Sequence, residues 1–116
     1  MSQLFLTDRA MDDLHEIYEY SVEKWGESIA SKYIIAFEDA FSILKSRKGI
    51  LKVNKKISSR FRVYFVQKHC LICEVIENKI IVITIKHSSM NILERLKKLE
   101  PSLDDEVQFL IKKLKS

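Results

Sequence analysis

Proline and glycine are scarce in this chain, one proline and two glycines in 116 residues, so a linker-rich or low-complexity protein is excluded and long elements joined by short loops are expected. Long apolar runs are missing too. The longest, residues 80–85, is far below the ~20 residues of a membrane-spanning helix. Residues 1–7 carry no basic stretch and too short an apolar segment for a secretory signal, so the expected location is the cytoplasm, with no membrane partner. Cysteine is confined to Cys70 and Cys73, whose spacing could suggest a redox pair or half a zinc site. Both lie in an extended apolar segment, where residues three apart point to opposite faces, so two separate buried thiols are expected. No third ligand is spaced for a metal near His15 or His69, and no metal or cofactor is expected.

What the chain does contain is charge, unevenly placed. The net +4 hides an acidic first part, residues 1–44 with nine acids and three bases, and a basic middle, residues 45–100 with fourteen bases and four acids. The last sixteen residues are neutral. Such a division predicts one strongly basic surface suited to an anionic partner. With 47% apolar residues the chain is long enough for one core.

Residues 3–6 read as a short strand, and Thr7 can cap a helix whose first turn holds Asp8. Ala10/Met11, Leu14, Ile17/Tyr18, Val22 and Trp25 recur at helical spacing, and Gly26 ends the helix. A second helix is expected over 27–48, with Ile29/Ala30, Tyr33, Phe37, Ala40/Phe41 and Leu44 inward. One glycine between two amphipathic helices predicts an antiparallel hairpin. Asp12, Glu16, Glu19 and Glu23 form a solvated acidic face on the first helix.

Beyond the basic loop 52–56 the period becomes alternating. Ile57, Phe61, Val63 and Phe65 fall on one strand face and Arg60, Arg62 and Tyr64 on the other. Two further strands, about 69–76 and 80–87, flank the turn Glu77-Asn78-Lys79, and the apolar run in the last one predicts a central strand covered on both sides. A short helix over 91–99 is expected to end at Pro101, and a second, amphipathic one to start at Ser102 with Val107, Leu110, Ile111 and Leu114 on its apolar stripe.

This order of elements resembles the RelE/ParE toxin superfamily, and the ParE branch is the nearer likeness. The carriers are Leu6-Thr7-Asp8-Arg9-Ala10-Met11-Asp12-Asp13-Leu14-His15-Glu16-Ile17, then Trp25-Gly26, Tyr33 and Arg60-Phe61-Arg62. The last strand ends in His87-Ser88-Ser89-Met90 before the leucines of the following helix. The resemblance implies an α+β fold: an N-terminal strand, an antiparallel helical hairpin on a mainly antiparallel sheet completed by a three-stranded meander, and short C-terminal helices. Residues 1–100 would form the toxin domain, with 101–116 an amphipathic helix packed on it or at an interface.

The resemblance further implies the toxin of a type II toxin-antitoxin pair that poisons DNA gyrase without chemistry of its own, neutralised by an acidic cognate antitoxin, with a homodimer as a further association. Target-binding residues would be Lys52, Arg60, Arg62, Lys86 and His87, and antitoxin-binding residues Tyr18 and Trp25; Leu110 and Ile111 lie beyond the resemblance, on a C-terminal stripe expected to pack on its own domain or else to be covered by the antitoxin or in a homodimer. A RelE-like alternative is a ribosome-dependent mRNA endonuclease, with Arg60, Arg62, Lys86 and His87 catalytic. The chain departs from that branch in carrying Ser88, Ser89 and Met90 where RelE-like enzymes commonly have a tyrosine or arginine. A third reading is a non-toxic homologue retaining only antitoxin binding and autoregulation. Residue by residue, Arg60 and Arg62 are expected to share a face able to hold a phosphate or carboxylate. His87 reads as a contact or a hydrogen-bonded structural residue, His15 and His69 as structural or exposed, and Trp25 as hairpin packing.

Overall fold

The computed structural model describes residues 2–51, 60–88 and 91–115. Strand β1 (Gln3–Leu6) leads into helices α1 (Asp8–Trp25) and α2 (Glu27–Ser46), followed by a 3-10 turn, Lys48–Ile50. Strands β2 (Arg62–Val66), β3 (His69–Ile76) and β4 (Lys79–His87) form the meander, and helix α3 (Ile92–Lys115) closes the chain. The four strands lie in the order β1-β4-β3-β2, with β1 parallel to β4 and the other pairs antiparallel. The fold class is the α+β arrangement expected.

Thr7 explains how α1 is placed. Its hydroxyl accepts from the Ala10 amide at 3.0 Å, capping the helix, and donates to the Ile83 carbonyl of β4 at 2.7 Å. The pairing jumps from Ile72↔Thr84 to Cys73↔Val82, so Ile83 is the extra residue of a bulge in β4. One buried side chain thus starts a helix and ties it to the central strand. The hairpin turns at Gly26, whose φ of +90° few other residues adopt, and whose amide donates to the Val22 carbonyl at 2.8 Å.

Two apolar layers sandwich the sheet. On the hairpin side Ala10, Phe37, Ala40 and Leu44 pack on Leu71, Cys73, Ile80, Val82 and Ile85. On the opposite side Leu96, Leu103 and Val107 of α3 pack on Phe61, Cys70, Ile72, Ile81 and Ile83. The central position and two-sided burial expected of β4 are therefore both present. The cysteines point to opposite layers, and burial pushes the Cys70 thiol up to about 12 and Cys73 higher still.

Two expectations need correction. Pro101 does not separate two helices, because α3 runs through it. An interior proline costs about 3 kcal/mol, whereas each fully buried Leu or Val gains about 1.5–3 kcal/mol. The stripe of Leu96, Leu103 and Val107 continues across the proline, so non-local burial outweighs the local break. The strand expected to include Arg60 and Phe61 begins at Arg62, since Arg60 lies in a bend and Phe61 is not in a strand, while Ile57 lies outside the described residues; Phe61 and Val63 face α3, Tyr64 and Val66 face the hairpin, and Phe65 is exposed.

Thr7→Val preserves shape but removes the cap and the bulge contact, so it should lower stability by roughly 1–3 kcal/mol, read as a lower midpoint in urea unfolding. Pro101→Ala restores one helix donor at an exposed position and should raise the melting temperature, with a gain up to about 3 kcal/mol. An unchanged melting temperature would mean that α3 is already broken at residue 101 in solution.

Candidate functional site

The open end of the β3–β4 ladder is where the polar chemistry gathers. Antiparallel register sets His69 opposite His87, with ring centroids 5.1 Å apart. The tight turn before β3 uses Gln67 at a positive φ of 55°, and the Lys68 carbonyl accepts from both the amide and the hydroxyl of Ser88, at 2.8 and 2.9 Å. Those bonds lock the end of the ladder. From α2, Tyr33 brings its hydroxyl to 2.7 Å from Nδ1 of His69, and Phe37 packs edge-on to the same imidazole. Burial, then repulsion from His87, lowers the His69 pKa, while burial raises that of Tyr33 against a smaller opposing effect of the Lys68 backbone. Across this contact the phenol donates when the proton of neutral His69 is on Nε2 and accepts when it is on Nδ1.

Helix α1 supplies the facing wall. Asp13 accepts from the Ile85 amide at 3.0 Å and from the Thr84 hydroxyl, so its carboxylate fixes α1 against the second half of strand β4. One helical turn and two turns further on, Ile17 and Tyr20 line the space, and Trp25 stands at its rim. Tyr20 and Trp25 meet edge to face at 6.2 Å, with the Lys24 ammonium 5.5 and 5.3 Å from the two rings. Between these walls lies a cleft of about 460 Å³, with Asp13, Tyr20, Trp25, Tyr33, Lys68, His69 and His87 among its lining.

The residues singled out from the sequence are distributed as follows. His87 and Trp25 lie together at this cleft, and Trp25 is 48% exposed, so it is surface-facing and not the hairpin packing expected. Lys86 contributes to the lining but pairs with Cys70, whose side chain lies in the α3 layer, so strand alternation sends the ammonium away from His87. Arg60 and Arg62 do not share a face. Arg60 lies in a bend before β2, where alternation does not govern it, and forms a two-pronged pair with Glu74 at 2.6 and 3.0 Å plus a 2.7 Å bond to Asp104 of α3. Its pKa is raised chiefly by the Glu74 hydrogen bonds. Arg62 donates to the Leu51 carbonyl at 2.9 Å. Lys52 lies outside the described residues. Tyr18 lines a separate groove of about 280 Å³ with Leu6, Met11, Leu14, His15 and Ile34, while Leu110 and Ile111 are partly buried against the α3-side layer.

Sequence reading missed Asp13, hidden within an acidic helix, and the part of His69, which depends on the strand register. No group of three or more His, Cys, Asp or Glu suited to a metal ion occurs among the described residues, and no described helix is long and apolar enough to cross a membrane.

Comparison with known proteins now has a geometry to refer to. No curated protein matches the chain significantly. Among solved structures, a chain from a chromosomal ParDE toxin-antitoxin system of P. aeruginosa superposes with a TM-score of 0.66 at 19% identity, covering 75% of this chain and 96% of the other. That likeness is one of fold. The family model for the ParE toxin of type II toxin-antitoxin systems matches residues 4–92, from β1 through β4 to the first residue of α3. The match takes in the capping Thr7, the hairpin with Trp25-Gly26, and both histidines of the cleft, and on it the chain belongs to the ParE toxin family.

Proposed function

We propose that this ParE-family chain is a cytoplasmic toxin that arrests replication by binding DNA gyrase, performs no catalytic step itself, and is neutralised by an acidic cognate antitoxin. The observation that favours this reading over the mRNA endonuclease is the dispersal of the four residues that a nuclease would need. Cleavage through a ribose 2′-hydroxyl requires a base, a cation for the phosphorane and an acid within reach of one phosphodiester. Here Arg60 is committed to Glu74 and Asp104, Arg62 to the Leu51 carbonyl, and Lys86 is directed toward the opposite face from His87. What converges is a half-exposed aromatic rim above a histidine pair, a surface suited to gripping a macromolecule. In this reading the target contacts are His87 and Lys68, and Arg60 serves the fold.

Expression from a tight promoter, with the DNA-damage response, chromosome replication and mRNA integrity followed in parallel, tests the proposal. Induced damage response and arrested replication with intact mRNA are expected. His87→Ala should lose toxicity while its melting temperature holds, whereas Arg60→Ala should lower stability by roughly 1–3 kcal/mol because two carboxylates lose their partner. Codon-phased cuts in mRNA would transfer the chain to the nuclease reading, and normal growth would leave only antitoxin binding and autoregulation.

A further inference from the structure

Beside the histidine cleft runs a second groove of about 470 Å³, lined by Trp25, Ile29, Lys32, Tyr33, Gln67 and Lys68. It lies where the Gly26 turn sets the end of α1 against the start of α2, with the β2–β3 turn opposite. Trp25 and Ile29 leave 48% and 50% of their surface exposed, side by side in this groove and flanked by polar side chains. The lining contains two lysines and no carboxylate among the described residues. Neither Lys32 nor Lys68 belongs to an ion pair among the described residues. An aromatic and aliphatic floor between two ammonium groups has the character of a protein-binding hot spot, and its charge selects an acidic occupant. Nucleic acid is the less suitable anion, because a long phosphate backbone would run on past the exposed Glu19 and Glu23 of the adjoining α1, whereas a short segment can seat its carboxylates on Lys32 and Lys68 alone, clear of the Asp13 and Glu16 that line the cleft.

We propose that this groove docks an acidic segment of the antitoxin, with an apolar side chain seated on Trp25 and Ile29 and carboxylates on Lys32 and Lys68, and that docking there covers the histidine cleft. The inference rests on the toxin reading above. Trp25, Tyr33 and Lys68 line both the groove and the cleft, so a segment on the first removes part of the wall of the second. Neutralisation is then direct competition for shared side chains and needs no change of fold.

The test uses the full chain and the purified full-length antitoxin encoded beside its gene, with affinity measured by titration calorimetry. Trp25→Ala should weaken binding roughly 30-fold or more, as removal of an aromatic anchor does. The pair Lys32→Glu with Lys68→Glu should weaken it at least about tenfold through reversed charge. Met11→Ala and Tyr18→Ala, on the separate α1–α2 groove, should change it less than about threefold, an ordinary effect outside a hot spot. All five side chains are at least partly exposed, and unchanged thermal melts would confirm intact folding. Loss of affinity at Met11 and Tyr18 with none at Trp25 would overturn the proposal. So would a sedimentation result in which Trp25→Ala abolishes only self-association, or one in which it abolishes only binding of a single-stranded oligonucleotide. If the wild-type chain bound no antitoxin at all, the toxin reading itself would fall and the docking proposal with it, whereas tight binding indifferent to all these changes would sink the docking site alone.

Discussion

The polar attachment of α1 to β4 is the constraint on which the remaining geometry depends. Hydrophobic burial presses the hairpin onto the sheet but is non-directional, and would tolerate a helix slid by part of a turn. Thr7 and Asp13 remove that freedom: the hydroxyl of one reaches the bulged Ile83, and the carboxylate of the other holds Thr84 and Ile85. The bulge matters because an extra residue in β4 changes where backbone groups point just before the strand ends. With both ends of the first helical turns fixed, Tyr20 and Trp25 come to stand across from His69 and His87.

Arg60 plays the corresponding part on the other face. It joins β3, through Glu74, to α3, through Asp104, and so fastens the helix beyond the region matched by the family model. The three charged groups share several hydrogen bonds in a partly buried site, so the guanidinium expected to meet a ligand is engaged by two carboxylates of the fold. Two of the fourteen bases of the middle segment, Arg60 and Arg62, are thus engaged within the fold. Lys32 of α2 and Lys68 of the β2–β3 turn are exposed and line one groove.

Local signals and distant ones were legible to different degrees. The capping threonine, the glycine turn and the opposed cysteines follow from spacing within a few residues, and the structure contains each of them; the two helix stripes are present through Ala10, Ala30, Phe37, Ala40 and Leu44, but Met11, Trp25 and Ile29, expected inward with them, are exposed. The path of α3 could not be read in the same way, since proline is a local breaker and the layer that overrides it is assembled from β2, β3 and β4. Arg60 was misread because its partners are 14 and 44 residues away. His69 was undervalued for a related reason: only the cross-strand register brings it to His87, and only the hairpin brings Tyr33 to it. The edge exposure of Trp25 depends on where α1 stops relative to the sheet, which periodicity does not give.

The opposed thiols carry a consequence of their own. Cys73 is sealed beneath the helical hairpin and Cys70 beneath α3, and neither ionises readily while its layer is closed. Each can react with an alkylating reagent only when the layer above it lifts. The molecule therefore has a native chemical clock on either side of its sheet, and the relative labelling of the two sulfurs distinguishes an excursion in which α3 alone departs from one in which the whole chain opens.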